Sequence, residues 1–177
     1  MPGARAPKKA TIDSVMTQKR GATIDHHGAD IEALNLSEAR IQHATFARMS
    51  VKDATFEAAK LEDVSFTAID LRNATFERAK LDDVSFAHAR IHNATLEEAE
   101  LDDVSFARAR VHNATFEGAK IDDVTFDGAT FKNVNLASAR FDDVDLSGVS
   151  IENAKIDGLT IDGVRIDQLL EKLKAQG

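Results

Sequence analysis

The feature that most constrains this chain is an apolar side chain at every fifth residue. From Ile31 to Ile166 this register has 28 positions, and each is Phe, Leu, Ile or Val. All ten phenylalanines lie on the register, and the chain contains no Tyr and no Trp. The residue two places earlier, from Leu34 to Val164, is also apolar and is most often Ala. A period of five fits neither the 3.6 residues of an α-helical turn nor a sustained alternation, which excludes a long amphipathic helix and long flat strands.

A second period, of twenty residues, lies on top of the first. It is visible where LEDVSFTAIDLRNATFERAK, LDDVSFAHARIHNATLEEAE and LDDVSFARARVHNATFEGAK follow one another. Each five-residue unit has the in-out-in pattern of a very short strand, followed by two polar residues that turn a corner. Four units then make one lap. Laps stacked at the inter-strand spacing of about 4.8 Å put residues twenty apart directly above one another.

The register resembles that of the pentapeptide-repeat proteins, whose unit is A-(D/N)-L-x-x, over about residues 29–166. The resemblance implies an all-β fold, a right-handed quadrilateral β-helix of about seven laps, with the large residue and the preceding small one pointing inward. The chain departs from the family unit just before the large residue, where Thr, Ser, Lys or Arg often stands, as in ATF, VSF and AKL.

The two ends of the chain break the pattern. Residues 1–21 contain two Pro, two Gly and a small basic excess, which predicts a mobile arm. We expect the β-helix to occupy residues 22–166 and a short helix to follow at residues 167–177. This helix would carry Leu169, Leu170 and Leu173 on one side. Two roles stay open for it, a cap on the last lap or a homodimer interface, and the resemblance implies that such segments often support homodimers.

The twenty-residue period predicts columns of like charge on opposite faces. We define the basic face as the column Lys52, Arg72, His92, His112 and Lys132 with the flanking Arg90 and Arg110. We define the acidic face as the column Asp82, Asp102, Asp122 and Asp142 with the corner column Asp83, Asp103, Asp123 and Asp143, and the first column is expected to continue to Asp162. The molecule is therefore predicted to be polarised across its width.

Three interpretations of the acidic columns follow from their chemistry. Stacked carboxylates bind cations such as calcium, imitate the phosphate rows of DNA, or accept hydrogen bonds from backbone N–H groups of the turns. The third is the favoured interpretation. A parallel row of Lys60, Lys80, Lys120 and Arg140, interrupted only by Glu100, is expected to neutralise much of the acidic field.

The sequence carries no recognisable enzyme machinery. It contains no Cys, no phosphate-binding Gly-rich loop and no nucleophile elbow. His92 and His112 are the nearest approach to a metal pair, but Lys and Arg share their column, so no metal and no cofactor is expected. The net charge of -8 argues against direct nucleic-acid binding. With no membrane span or signal sequence recognised, we expect a soluble, cytoplasmic protein that does not bind membranes.

The function predicted from these features is non-enzymatic. We expect an interaction or scaffold module that presents its charged faces to a protein partner. The alternative comes from the resemblance, because some bacterial pentapeptide-repeat proteins mimic DNA, bind type II topoisomerases and protect them from quinolones.

Overall fold

The computed structural model describes residues 30–176, which form short strands and one C-terminal helix. The strands are β1 (Asp30–Ile31), β2 (Leu34–Asn35), β3 (Arg40–Thr45), β4 (Ser50–Thr55), β5 (Lys60–Ser65), β6 (Asp70–Thr75), β7 (Lys80–Ser85), β8 (Arg90–Thr95), β9 (Glu100–Ser105), β10 (Arg110–Thr115), β11 (Lys120–Thr125), β12 (Thr130–Asn135), β13 (Arg140–Asp142), β14 (Ser150–Glu152), β15 (Thr160–Ile161) and β16 (Val164–Arg165). The helix α1 spans Ile166–Lys174. The predicted N-terminal arm and the first unit at Ala22 and Ile24 lie outside the described residues.

The strands form two sheets that run up opposite sides of a coil. The first sheet has the order β1-β4-β6-β8-β10-β12-β14, with β2 also paired to β4, and the second has the order β16-β15-β13-β11-β9-β7-β5-β3. From β1 to β15 every pairing is parallel and joins residues twenty apart, as in Val111↔Phe131 and Ile121↔Phe141. This is the predicted right-handed quadrilateral β-helix of about seven laps.

The corners of the coil depend on residues in the left-handed region of backbone space. From Glu38 to Gly163 the second residue after each register residue has a positive φ, for example 53° at Asn113, 50° at Asp123 and 53° at Ala58. Asn and Asp adopt this conformation more readily than other residues with a side chain, and Gly does so without cost. The second of the two polar positions in each unit therefore reflects a backbone requirement as well as solvent exposure.

The core is two columns of aromatic rings enclosed by aliphatic and alanine columns. Phe46, Phe66, Phe86, Phe106 and Phe126 lie one lap apart, with ring centroids 5.0 to 5.4 Å from one lap to the next. Phe56 and Phe76 stack at 4.7 Å in the second column. Rings of the two columns meet edge to face, at 5.7 Å between Phe76 and Phe86. Every register residue from Ile31 to Phe141 is buried, which confirms the inward assignment over that range.

The C-terminal end differs from the predicted register. The chain leaves the coil at Asp162 and Gly163, whose φ values of 47° and 75° form the two-residue turn of the antiparallel β15–β16 hairpin. Val164 therefore points outward and is 51% exposed. Ile151 lies on the predicted inward register but is 44% exposed, because β14 ends the first sheet and no lap covers it.

The helix α1 is fixed at its start but exposed along its length. The Asp167 carboxylate accepts hydrogen bonds from the backbone N–H of Gly158 at 2.9 Å and from Arg165 Nε at 3.0 Å. The Arg165 guanidinium beside it holds the pKa of Asp167 far below its usual range. Leu169, Leu170 and Leu173 remain exposed, so α1 does not bury this stripe on the last lap. Within residues 30–176 no helix is long and apolar enough to cross a membrane.

Candidate interaction faces

The basic face predicted from the sequence is a column on the first sheet. Strand register places Lys52 beside Arg72, then His92, His112 and Lys132, one per lap. Arg90 and Arg110 are paired in the adjacent column of the same sheet. The structure therefore brings all seven predicted residues onto one face, and most of them are exposed.

The outer members of the basic face are paired with acids of their own face. Arg72 donates to both carboxylate oxygens of Asp70, at 3.0 and 3.1 Å, and this contact holds the pKa of Asp70 below its usual value. Lys52 lies 3.8 Å from Asp53, and Lys132 lies 3.8 Å from Glu152. These ion pairs cancel much of the charge at both ends of the column.

The centre of the basic face is different, because its basic side chains lie beside one another and not beside acids. The rings of His92 and His112 stack at 4.9 Å, with their Nδ1 atoms 3.0 Å apart. Arg110 makes no side-chain hydrogen bond or ion pair among the described residues, and Arg90 approaches only Asp70, at 3.8 Å. The positive charge of the face is thus concentrated in the laps of β8 and β10.

Two further cations join this centre from the neighbouring corner. His88 and Arg108 lie at the corner positions that precede β8 and β10, with positive φ values of 58° and 56°. Within the described range neither side chain has a hydrogen-bonding or ionic partner. We define the cationic cluster as His88, Arg90, His92, Arg108, Arg110 and His112. His88 and Arg108 were not predicted as members of the basic face, because the columns of each face were considered separately, although the repeated spacing H-x-R-x-H and R-x-R-x-H carries the signal.

The acidic face runs along the second sheet, where Asp82, Asp102, Asp122 and Asp142 are paired lap by lap. Asp142 receives a hydrogen bond from Arg140 at 2.9 Å. The six aspartates of this face that lie in β7, β9 and β11 are exposed and make no side-chain hydrogen bond or ion pair in the described part of the chain. They are Asp82, Asp83, Asp102, Asp103, Asp122 and Asp123. Asp143, the first residue after β13, is also exposed, and its side chain has no such partner there.

This finding corrects the favoured interpretation of the corner aspartates. Asp103 and Asp123 do not accept hydrogen bonds from the turn backbone; they supply the left-handed conformation instead. The neighbouring lysines do not pair with these aspartates either. Lys80 and Lys120 both bind Glu100, and this double contact holds the pKa of Glu100 below its usual value. The lysine row therefore neutralises Glu100 more than it neutralises the acidic columns.

The corner beside the basic face carries a ladder of amides. Asn93, Asn113, Asn133 and Asn153 each donate from Nδ2 to the side-chain oxygen of the asparagine one lap below, at 3.1 to 3.3 Å. At the N-terminal end of the acidic corner, His43 Nδ1 lies 2.6 Å from Asp63, which raises the pKa of His43. These contacts are structural, since they tie successive laps together.

No group of three or more His, Asp or Glu side chains suited to a metal ion occurs among residues 30–176. The acidic face holds a shallow groove of about 260 Å³ between its lysine and aspartate rows. The solenoid thus carries unpaired charges of opposite sign on its two sheets. The family model for the pentapeptide repeat region matches residues 23–96 and 89–169. The chain therefore belongs to the pentapeptide-repeat family, whose members are generally non-catalytic interaction modules.

Solved structures of the same family are similar to this chain at low identity. A trypsin-treated form of QnrB1, a plasmid-mediated fluoroquinolone resistance protein, is 18% identical, with a TM-score of 0.40 over 82% of this chain and 86% of that one. A pentapeptide-repeat protein of the Arabidopsis thaliana thylakoid lumen is 23% identical, with a TM-score of 0.42 over 82% and 74% of the two chains. HetL of the cyanobacterium Nostoc, involved in regulating heterocyst differentiation, is 18% identical, with a TM-score of 0.26 over 77% and 84%. A comparison with curated protein sequences found no match.

Proposed function

We propose that this protein is a non-enzymatic interaction module that binds a protein partner through its charged faces. The observation that carries the proposal is the separation of unpaired charge. Three arginines and three histidines of the cationic cluster lie on one side, and six free aspartates lie on the opposite sheet. Unpaired charges of one sign attract a complementary surface from solution and exclude a surface of like charge.

The rod also supports this function because its faces are held rigidly. Each lap is tied to the next by parallel strand pairing, the stacked rings and the asparagine ladder. Side chains on such a scaffold lose little backbone entropy when a partner binds, since their positions are already fixed. A flat, preorganised charged face therefore favours recognition of another macromolecule over catalysis in a pocket.

Capture from a native lysate tests the proposal with matched variants of each face. We expect the native chain to retain a protein that is lost when Arg90→Gln and Arg110→Gln are combined on the basic face. Arg40→Gln combined with Lys60→Gln, on the second sheet, removes the same charge and serves as the control. Retention of the same protein by both double variants and by an acidic-face variant would contradict the proposal.

A second candidate, DNA mimicry directed at a type II topoisomerase, is favoured by the six free aspartates of the acidic face. Carboxylates repeated at about 4.8 Å along a rod resemble a row of phosphates in sign and regularity. This candidate predicts that Asp102→Asn combined with Asp122→Asn abolishes capture, whereas Arg90→Gln combined with Arg110→Gln does not. The same capture experiment therefore separates the two candidates.

The exposed leucines of α1 make self-association an expected part of this function. Leu169, Leu170 and Leu173 are 44%, 41% and 57% exposed, and Ile151 at the open edge of the first sheet is 44% exposed. Two-fold pairing of identical ends would bury this apolar surface and stop growth at a dimer. We expect sedimentation to find dimers of the full chain and monomers after truncation following Asp167, which keeps the hydrogen bond to Gly158. A dimer that survives the truncation would place the interface elsewhere.

A further inference from the structure

We propose that the cationic cluster binds a short acidic peptide segment of a partner protein, and that binding strengthens as the pH falls below neutrality. The inference rests on the proposed function and names the partner chemistry and its regulation. The stretches AHARIHNA, at residues 87–94, and ARARVHNA, at residues 107–114, contain three arginines and three histidines and no acid. In a chain of net charge -8, these two stretches are a local excess of positive charge.

The spacing of the cluster fits an extended chain. Arg90 and His92 are alternate residues of β8, and Arg110 and His112 are their partners on β10. Alternate residues of a strand lie about 7 Å apart, and adjacent strands about 4.8 Å apart. An extended peptide with an acid at every second position repeats its carboxylates at the same 7 Å or so. It would place one carboxylate over the arginine column and the next over the histidine column.

The arginines supply the affinity that does not depend on pH. Arg110 and Arg108 have no ionic partner in the described range, so neither must give up an existing ion pair to bind a carboxylate. A guanidinium binds a carboxylate through two parallel hydrogen bonds, which gives orientation as well as attraction. Arg90 is only loosely engaged, at 3.8 Å from Asp70, and Asp70 already accepts both hydrogen bonds of Arg72.

The stacked imidazoles supply the dependence on pH. A hydrogen bond across the 3.0 Å between the two Nδ1 atoms requires one nitrogen to donate and the other to accept. When both rings are protonated, both nitrogens become donors and the contact becomes a repulsion. A carboxylate above the pair would accept from both and offset that repulsion. Proton uptake by the histidines and binding of the acidic segment are therefore coupled.

Apart from Asp70, the charged groups around the two rings are cations, which attract an anion. β6 presents Arg72 and Asp70 to His92, and β8 and β10 present Arg90 and Arg110. β12 presents Lys132 to His112, and Asn133 Nδ2 lies 3.4 Å from His112 Nε2. Asp70 is the sole carboxylate in this set, and Arg72 occupies it.

A nucleic acid fits the cluster less well than a peptide. The free cations span only two laps, and the adjoining positions carry Arg72 and Lys132 already paired with Asp70 and Glu152. The next face carries the column Glu57, Glu77, Glu97 and Glu117, which would repel a continuing phosphate backbone. A few carboxylates fill the cluster, whereas a polynucleotide would have to cross acidic surface on the same rod.

The test measures binding of a labelled peptide of alternating Glu and Ser by fluorescence anisotropy. We expect affinity to rise on the order of tenfold between about pH 8 and about pH 6, because a protonated imidazole attracts a carboxylate and a neutral one does not. Arg90→Gln combined with Arg110→Gln should weaken binding about tenfold or more at both pH values. His92→Gln combined with His112→Gln should remove most of the increase at low pH and leave binding at high pH nearly unchanged.

The matched control is Arg40→Gln combined with His43→Gln, which removes one arginine and one histidine from the second sheet. It should bind the peptide as the native chain does, and thermal unfolding should show that every variant keeps the fold. The inference is overturned if the native chain binds the peptide equally well at the two pH values, or if the double arginine variant binds it as well as the native chain does. Tighter binding of a DNA duplex than of the peptide would overturn it as well. If lysate capture still depends on Arg90 and Arg110 in that event, the proposed function stands and only the partner chemistry is wrong.

Discussion

Replacing Phe106 by Ala should destabilise the protein by about 3–5 kcal/mol, as expected for removal of a fully buried aromatic ring. Phe106 is 0% exposed, and its ring lies 5.0 Å from that of Phe86 and 5.4 Å from that of Phe126. The backbone N–H of Phe106 also donates to Thr125 at 2.7 Å, one lap above. This hydrogen bond and its equivalents in the neighbouring laps hold the spacing between laps. The neighbouring rings therefore cannot move together to fill the cavity that the lost ring leaves. Urea unfolding followed by circular dichroism gives the change.

The matched control is Ala107→Ser, one residue further along the same lap. Ala107 points outward and is only partly buried, so a hydroxyl there should change the free energy of unfolding by less than about 0.5 kcal/mol. Phe106→Ala alters the inside of the coil, and Ala107→Ser alters the outside at the adjacent residue of the same lap. Equal midpoints for the two would mean that the five-residue register does not define the inside of the protein.

The sequence predicts the coil well because every lap solves the same packing problem. Ile91 lies between Leu71 and Val111, and Val111 lies between Ile91 and Phe131, so each has an inward apolar neighbour one lap above and one lap below. The period therefore determines burial wherever both neighbours exist. It fails at Ile151 and Val164, because no further lap lies over β14 and the Asp162–Gly163 turn reverses the chain. Those two positions depend on where stacking stops, and periodicity does not encode that.

The sequence also predicted which residues form the columns of the candidate faces. It did not predict which of their charges are paired. Register alone aligns His92 with His112. Which charges remain free depends on side-chain reach: Lys80 and Lys120 both extend to Glu100 and leave the aspartate columns unpaired. Arg108 was missed because it lies at a corner, two residues before Arg110 along the chain, and was not grouped with the strand columns.

The backbone conformation of the corner residues explains part of the charge pattern. A corner position needs a residue that accepts a positive φ, and Asp and Asn meet this requirement with short polar side chains. Once Asp is used at successive corners, a row of carboxylates follows from the backbone requirement alone. The acidic corner column is thus partly a consequence of folding, whereas Arg90 and Arg110, which lie in β8 and β10 and not at corners, are not required by the corner backbone.

Replacing Asp123 by Val should destabilise the protein by about 1–3 kcal/mol, whereas Asp123→Ala should cost no more than a few tenths. Asp123 has a φ of 50°, and its carboxylate makes no hydrogen bond among the described residues. A β-branched side chain clashes with the backbone in that conformation. Ala is already accepted at equivalent corners, with φ values of 53° at Ala58 and 56° at Ala68.

Asp123→Gly should unfold at the native urea concentration or slightly above it, since it relieves strain and removes one charge from a column of like charges. Urea midpoints of the three variants decide the matter: if Ala is as damaging as Val, the carboxylate itself holds the corner and the backbone account is wrong.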